Sequence, residues 1–352
     1  MENAKKLTPG KIIGIIIGIV AAATVALLVT VLLSLHLFTP LVFHDFFGNA
    51  KAEYVIPGLY EGVVPQGYAY VEDKDVYLQC GYMKDGVSAS RIYITNAANT
   101  KDTCFVELYT ADGNPYTGHT GGITSGAGLV WLANDGEGDD NCVWVLSLAD
   151  LMAAKDSGKI TLETKFHSES RAACCFVDDE YLWVGEFNDG EKYVTDADHK
   201  FEVSGGENYA LVCAYPLDTD SKYGVAFTEA EGKEIFTPAL ALSVTNLVQG
   251  FTATDDGFVL STSYGLNLSH LYFHKDVTAD APDGTLQVNG ADVPVYFLDN
   301  ESLTDDVVMP PMSEEIFVKD GRLYVLFESA CQKYIFGNLI RGRHTYSYEL
   351  GE

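Results

Sequence analysis

The sequence predicts an all-β chain in which one four-stranded unit recurs five times behind a single apolar helix. Three observations carry that prediction. Residues 248–264, "VQGFTATDDGFVLSTSY", pass from a small or polar lead into an apolar run, an acidic turn and a second apolar run. The same order returns at "PQGYAYVEDKDVYLQCGY" (from Pro65), "TGGITSGAGLVWLAND" (Thr120), "AACCFVDDEYLWVGEF" (Ala172) and "SEEIFVKDGRLYVLFES" (Ser313). Each copy is followed by a third strand, and four of the five by a fourth. Four short strands per unit, repeated around an axis, is the pattern of a β-propeller, here with five blades.

The elements follow in chain order. Residues 11–38, "KIIGIIIGIVAAATVALLVTVLLSLHLF", hold more than 20 residues with no acid or base between Lys11 and His36. A bilayer core needs about 20 helical residues, whereas the apolar part of a cleaved signal is usually about 7–15. Ala50-Lys51-Ala52 has the small-x-small form of a cleavage site but lies well past the apolar core. The expectation is an uncleaved signal-anchor helix over 12–38, with 1–11 on the cytoplasmic side because lysines lead it. A linker over 39–52 then joins a single propeller domain over 53–352, outside the cell.

The third strands read "SRIYITN" (90–96), "NCVWVLSL" (141–148), "ALVCAYPL" (210–217), "SHLYFHK" (269–275) and "TYSYEL" (345–350). The fourth are expected at 103–110, 159–166, 239–245 and 294–300. The fifth copy runs out of chain, and "EYVIPGLYEG" (53–62) belongs to no other repeat. It is expected to supply the last blade's outer strand, closing an edge that would otherwise be open. The body would then ride close to the membrane.

Net charge bounds the partners. The chain carries −28, and three of its 22 basic residues stand beside one of its 50 acidic residues in the first 11 positions. The remaining 19 bases face 49 acids, a body at −30 that disfavours nucleic acid or an anionic membrane face as partner. Seven cysteines (80, 104, 142, 174, 175, 213, 331) match no zinc spacing. They read as small buried side chains, and a Cys80–Cys104 bridge is allowed because both fall in one sheet.

Propeller layouts of this kind resemble arabinanase-like glycosidases and tachylectin-like lectins. The phrases "MSEEI", "LYVLFESA" and "YLWVGEF" are similar to membrane-anchored bacterial propellers, a resemblance that covers about 53–352 and carries no activity. The three acidic residues that arabinanase-like enzymes place round the channel have no residue-by-residue match here.

Candidate site residues come from aligning the copies. The residue before each inner strand is Gly67, Gly122, Cys174, Gly250 or Glu315, small in four copies so that strands can crowd the axis. One step earlier stand Gln66, Gly121, Ala173, Gln249 and Glu314, and further out His119 and Arg171 are equivalent. Amides, a carboxylate and a guanidinium at the channel mouth could grip a glycan or a carboxylated ligand. A purely structural arrangement would pair Arg171 with Glu314 or Glu315 as a plug, leaving Gln66 and Gln249 on strand-start backbone.

A hydrolase, whether glycosidase or phosphoesterase, would combine Glu314 or Glu315 with Glu186 or Glu328, which end their second strands. Glu186 and Glu328 differ by one alignment position, so they are expected on opposite faces. The loop 134–141, "NDGEGDDN", offers Asp135, Glu137 and Asp139 as oxygen ligands for Ca²⁺, though without the spacing of an EF-hand loop. No other cofactor is expected: there is no phosphate-binding Gly-Lys-Ser/Thr loop and no Gly-x-Ser-x-Gly elbow. The inserts 187–208 and 276–293 decorate the rim and are where a protein partner would be sought. The expected role is a surface module binding a glycan or protein ligand.

Overall fold

The computed structural model describes residues 8–351, so the cytoplasmic placement of Lys5 and Lys6 falls outside the described residues. Five antiparallel four-stranded units stand round an axis. Their inner strands are Val63–Val71, Gly122–Gly126, Cys174–Val177, Val248–Thr254 and Ser313–Lys319. Neighbouring blades bury apolar faces against each other. Trp131, Phe251 and Phe327 are among the largest side chains almost wholly withdrawn from water.

Ring closure occurs as expected, shifted by a few residues. Ala50–Val55 pairs antiparallel with His344–Glu349 as the outer strand of blade 5, and Ile56–Gly62 turns back into blade 1. Two other outer strands correct the sequence reading. In blade 2 the segment 159–166 is split. Lys159–Leu162 lies parallel to Thr103–Thr110 on the neighbouring blade 1, and only Thr164–Phe166 completes blade 2. Residues 294–300 do not complete blade 4; Ala291–Phe297 lies parallel to Leu240–Val244 on blade 3, and Leu303–Met309 is the outer strand of blade 4. The chain thus stitches blade 2 to blade 1 and blade 4 to blade 3 through edge strands, covering sheet edges that would otherwise be open.

The apolar helix runs from Pro9 to Val42, long and apolar enough to cross a membrane. Residues 39–52, expected to be a linker, are mostly helical. After the long helix ends, His44–Asn49 forms a short one, and its Phe46 is fully buried against Phe327, Tyr346 and Tyr348. All seven cysteines are free, including Cys80 and Cys104, and six of them are buried.

Candidate functional site

The channel mouth lies where inner strands begin and second strands end, as at Val63 opposite Met83. Glycine is required there by close approach. A Cβ on Gly122 would meet Cys175 N at 2.6 Å and Cys174 Cα at 2.8 Å, and one on Gly250 would meet Glu315 Cα at 2.7 Å. The small-residue ring expected from the aligned copies therefore does surround the axis.

Three inner strands are irregular at this end. Pairing slips between Pro65 and Tyr68, between Val248 and Gly250, and between Ser313 and Ile316. The slipped residues include Gln66, Gln249, Glu314 and Glu315. Irregularities of this kind free residues from the ladder and re-aim their side chains. That explains how adjacent residues on one strand reach different surroundings.

Glu315 goes to the axis. One of its oxygens accepts from the backbone N–H of Tyr68 and Ile123, both at 2.8 Å, and the other from Cys175 N–H at 3.1 Å. One carboxylate on blade 5 thereby ties blades 1, 2 and 3. Burial pushes its pKa up to about 8, even though the three N–H donors pull it back toward the charged form. Glu315, and not Arg171, occupies the channel.

Glu314 goes to the mouth. A cavity of about 330 Å³ opens there, lined by Gln66, Gln249, His119, Asp135, Glu314 and Glu328. Gln66 donates to Glu328 at 3.0 Å and to the carbonyl of Pro65 at 2.8 Å. Glu314 and Glu328 line the same cavity, and burial raises both well above the carboxylate range. The charge of Glu328 raises Glu314 further. Lys333, Gln66 and the hydrogen bond with Glu314 pull Glu328 partly back. His119 stacks on Tyr82 with ring centroids 4.8 Å apart. Desolvation, with Lys333 and Lys192 nearby, lowers its pKa to about 4, so its imidazole is neutral at pH 7.

The remaining candidates lie beside the cavity. Arg171 does not pair with Glu314 or Glu315; its Nε donates to Asp135 Oδ1 at 2.8 Å. Burial raises the pKa of Asp135, and Arg171 only partly offsets it. Glu186 is fully buried behind Arg171, accepting from the N–H groups of Arg171 and Leu211. His199 Nδ1 meets both Glu186 oxygens at 3.1 Å. Burial opposes charge on this imidazole, but Glu169 and Glu186 outweigh it and raise the pKa to about 10. This buried ion pair pins the insert 187–208, whose Phe187, Lys192 and Tyr193 form one wall of the cavity.

Glu186 is thus taken up by His199 and backbone N–H groups, whereas Glu328 lines the cavity. The loop 134–141 does not gather its acids: Asp135 turns to Arg171, while exposed Asp139 pairs with Lys165 at 2.6 Å. Glu137 is exposed.

Sequence reading missed Tyr82, Tyr193, Tyr264, Lys192, Lys333 and Tyr334 as cavity residues. Most belong to loops after second strands, which vary in length and have no equivalent between copies. One signal was available: the positions where second strands end give Tyr82, Asp135, Phe187, Ser263 and Glu328, all on the cavity wall.

No family model and no curated protein matches the chain. Among solved structures it is similar to an exo-β-1,3-galactanase from Phanerochaete chrysosporium, at 10% identity and a TM-score of 0.43. That match covers 85% of this chain but only 64% of the galactanase chain. A glutaminyl cyclase from Myxococcus xanthus matches at 9% identity and TM-score 0.40, over 78% of this chain and 90% of its own. A putative oxidoreductase (glucose dehydrogenase) from Thermus thermophilus matches at 11% and 0.42, over 85% and 99%. Likeness at this level carries nothing about the cavity.

Proposed function

We propose that the protein is a membrane-anchored module, displayed on the outside of the cell, that binds a small polyhydroxylated ligand such as a glycan end at the channel mouth. The observation that carries this reading is the convergence of Gln66, Gln249 and the Glu314–Glu328 pair in one cavity beside Tyr82, Tyr193, Tyr264 and Tyr334. Amides and a protonated carboxyl pair donate and accept hydrogen bonds without a net charge that must be matched. The flanking rings offer flat apolar faces to sugar C–H groups, and the cavity falls in the usual size range of small-ligand sites, about 300–1,000 Å³. The insert 187–208 contributes to the same cavity, so the rim and the mouth act together.

The raised pKa values of Glu314 and Glu328 also suit a hydrolase, because a glycosidase needs a protonated carboxyl. Binding is favoured because both acids are raised together, whereas a retaining or inverting pair needs one of its two carboxyls ionised as nucleophile or base.

The test is thermal unfolding of the full chain in detergent against a panel of mono- and oligosaccharides and phosphate esters, with Ca²⁺ and chelator as controls. A ligand at about 100 times its dissociation constant stabilises by about 2.7 kcal/mol. A raised midpoint that disappears in Glu314→Gln and Gln249→Ala supports the reading. Released product would move it to the hydrolase, and a flat response across the panel would reject it.

A further inference from the structure

Outside the long helix, the large apolar side chains exposed on the body gather at one end of the propeller, among the described residues. In the loops after second strands stand Val87 of blade 1, Val194 of blade 3, Leu266 and Leu268 of blade 4 and Ile335 of blade 5. Leu266, Val87 and Ile335 are 73%, 72% and 68% exposed. Tyr60 stands in the segment that enters blade 1 at the same end, and Tyr264 is on the cavity wall. The turns at the opposite end contribute none to this set. A one-sided ring of this kind marks an interaction surface, unlike apolar residues scattered singly.

The long helix approaches from that same side. Arg341, in the loop that follows the second strand of blade 5, donates from Nε to the carbonyl of His36. Thr39 is already buried, and the short helix then runs along blade 5 until Asn49 O meets Arg322 at the far end. No Asp, Glu, Lys or Arg separates Lys11 from Asp45, and Leu41 and Val42 are still 68% exposed. The apolar segment therefore reaches the body with no polar spacer. At about 1.5 Å per residue its 34 residues extend about 50 Å, well beyond the roughly 30 Å of a bilayer core.

From these placements we infer that the cavity end of the propeller rests on the leaflet in which its own helix is embedded, with the exposed apolar side chains seated among the lipid headgroups. The acidic body gains nothing from an anionic surface, so the contact is held by the tether and the apolar ring. The tether makes the encounter intramolecular and keeps the effective concentration of the leaflet high. Tyr60 and Tyr264 are suited to that depth, where amphipathic rings collect. Lys333, Arg341 and Arg343 lie on the same end and can meet lipid phosphates. The ligand of the cavity then enters from the headgroup layer. That last step rests on the cavity being a binding site, whereas the docking itself does not.

The experiment places a tryptophan at Leu266→Trp, at Ile335→Trp or, at the opposite end, at Asp256→Trp. Each full-length variant is reconstituted in phosphatidylcholine vesicles with and without brominated acyl chains. The three native tryptophans are buried and form a constant background. Docking predicts loss of the added fluorescence in brominated vesicles for the first two variants and none for Asp256→Trp. Equal insensitivity of all three, with the helix shown by protease protection to be inserted, would overturn it. That outcome would leave any sugar-dependent rise in melting temperature untouched, so the two readings fail separately.

Discussion

Glu314 and Glu315 are neighbours on one strand, equally hidden from water, and the fold uses them in opposite ways. Glu315 is held by N–H groups of three other blades, whereas Glu314 lines a cavity together with a second carboxyl, Glu328, whose charge raises it further. The first arrangement satisfies a buried charge with donors that the fold already has to spare. The second concentrates two acids whose charging is costly, and nothing in the packing of the blades requires it. Groups whose ionisation is made costly in this way cluster at functional sites. The contrast separates a residue whose contacts tie three blades together from one that, in the reading proposed above, meets a ligand.

The most severe way to break the contrast is to remove each side chain. Glu315→Ala leaves three buried N–H groups without a partner. At about 1–3 kcal/mol for each orphaned group it should cost about 4 kcal/mol, read by urea unfolding. Glu314→Ala should cost less than half as much, and equal losses would erase the distinction. Next in size is Arg171→Ala. It strands the buried Asp135 carboxyl and should lower stability by about 2 kcal/mol. If it instead leaves the midpoint unchanged, the Arg171–Asp135 pair is not what holds that wall.

Substitution by glutamine sharpens the contrast. Glu328→Gln should raise stability by about 1 kcal/mol at pH 8, because it removes the need to charge or protonate the pair, and it should lose ligand binding. A gain of stability with a loss of binding is the behaviour of a site kept at the expense of the fold. The same logic gives a pH dependence. A carboxyl whose folded pKa lies above its unfolded value binds more protons when folded. Its stabilising contribution is complete below about 4.5 and is lost as pH rises toward the folded value, about 8 for Glu315. His119 acts oppositely, since its lowered pKa adds stability between about 4 and 6.5, and His199 loses its contribution from 6.5 up to about 10. Between pH 6.5 and 8 the wild-type melting temperature should therefore fall. The fall should be shallower in Glu328→Gln, and identical slopes would count against the raised pair.

Much of this was legible in the sequence, because it depends on features that repeat. Five hairpins with the same lead reveal the blades, and aligning them brings out the small-residue ring together with Gln66, Gln249 and Glu314. Other features were not legible because they depend on what does not repeat. Lys159–Leu162 and Ala291–Phe297 have the composition of ordinary outer strands, and a strand's pattern does not say which neighbouring blade will accept it in parallel. The separate fates of Glu314 and Glu315 depend on an irregularity in pairing, which a period of two cannot show. The arrangement in which Arg171 plugs the channel against Glu314 or Glu315, one of the two open from the sequence, does not occur, because the alignment knows sequence position and not depth along the axis.

The most direct measurement is a pH titration of the glutamate side-chain carboxyl ¹³C resonances in the labelled full chain, assigned with Glu314→Gln, Glu315→Gln and Glu328→Gln. Glu314 and Glu328 should both titrate well above 4.5, and replacing either should move the other while leaving Glu315 in place. Ordinary titration of both near 4.5, with no response of one to loss of the other, would contradict the raised, interacting carboxyl pair at the channel mouth.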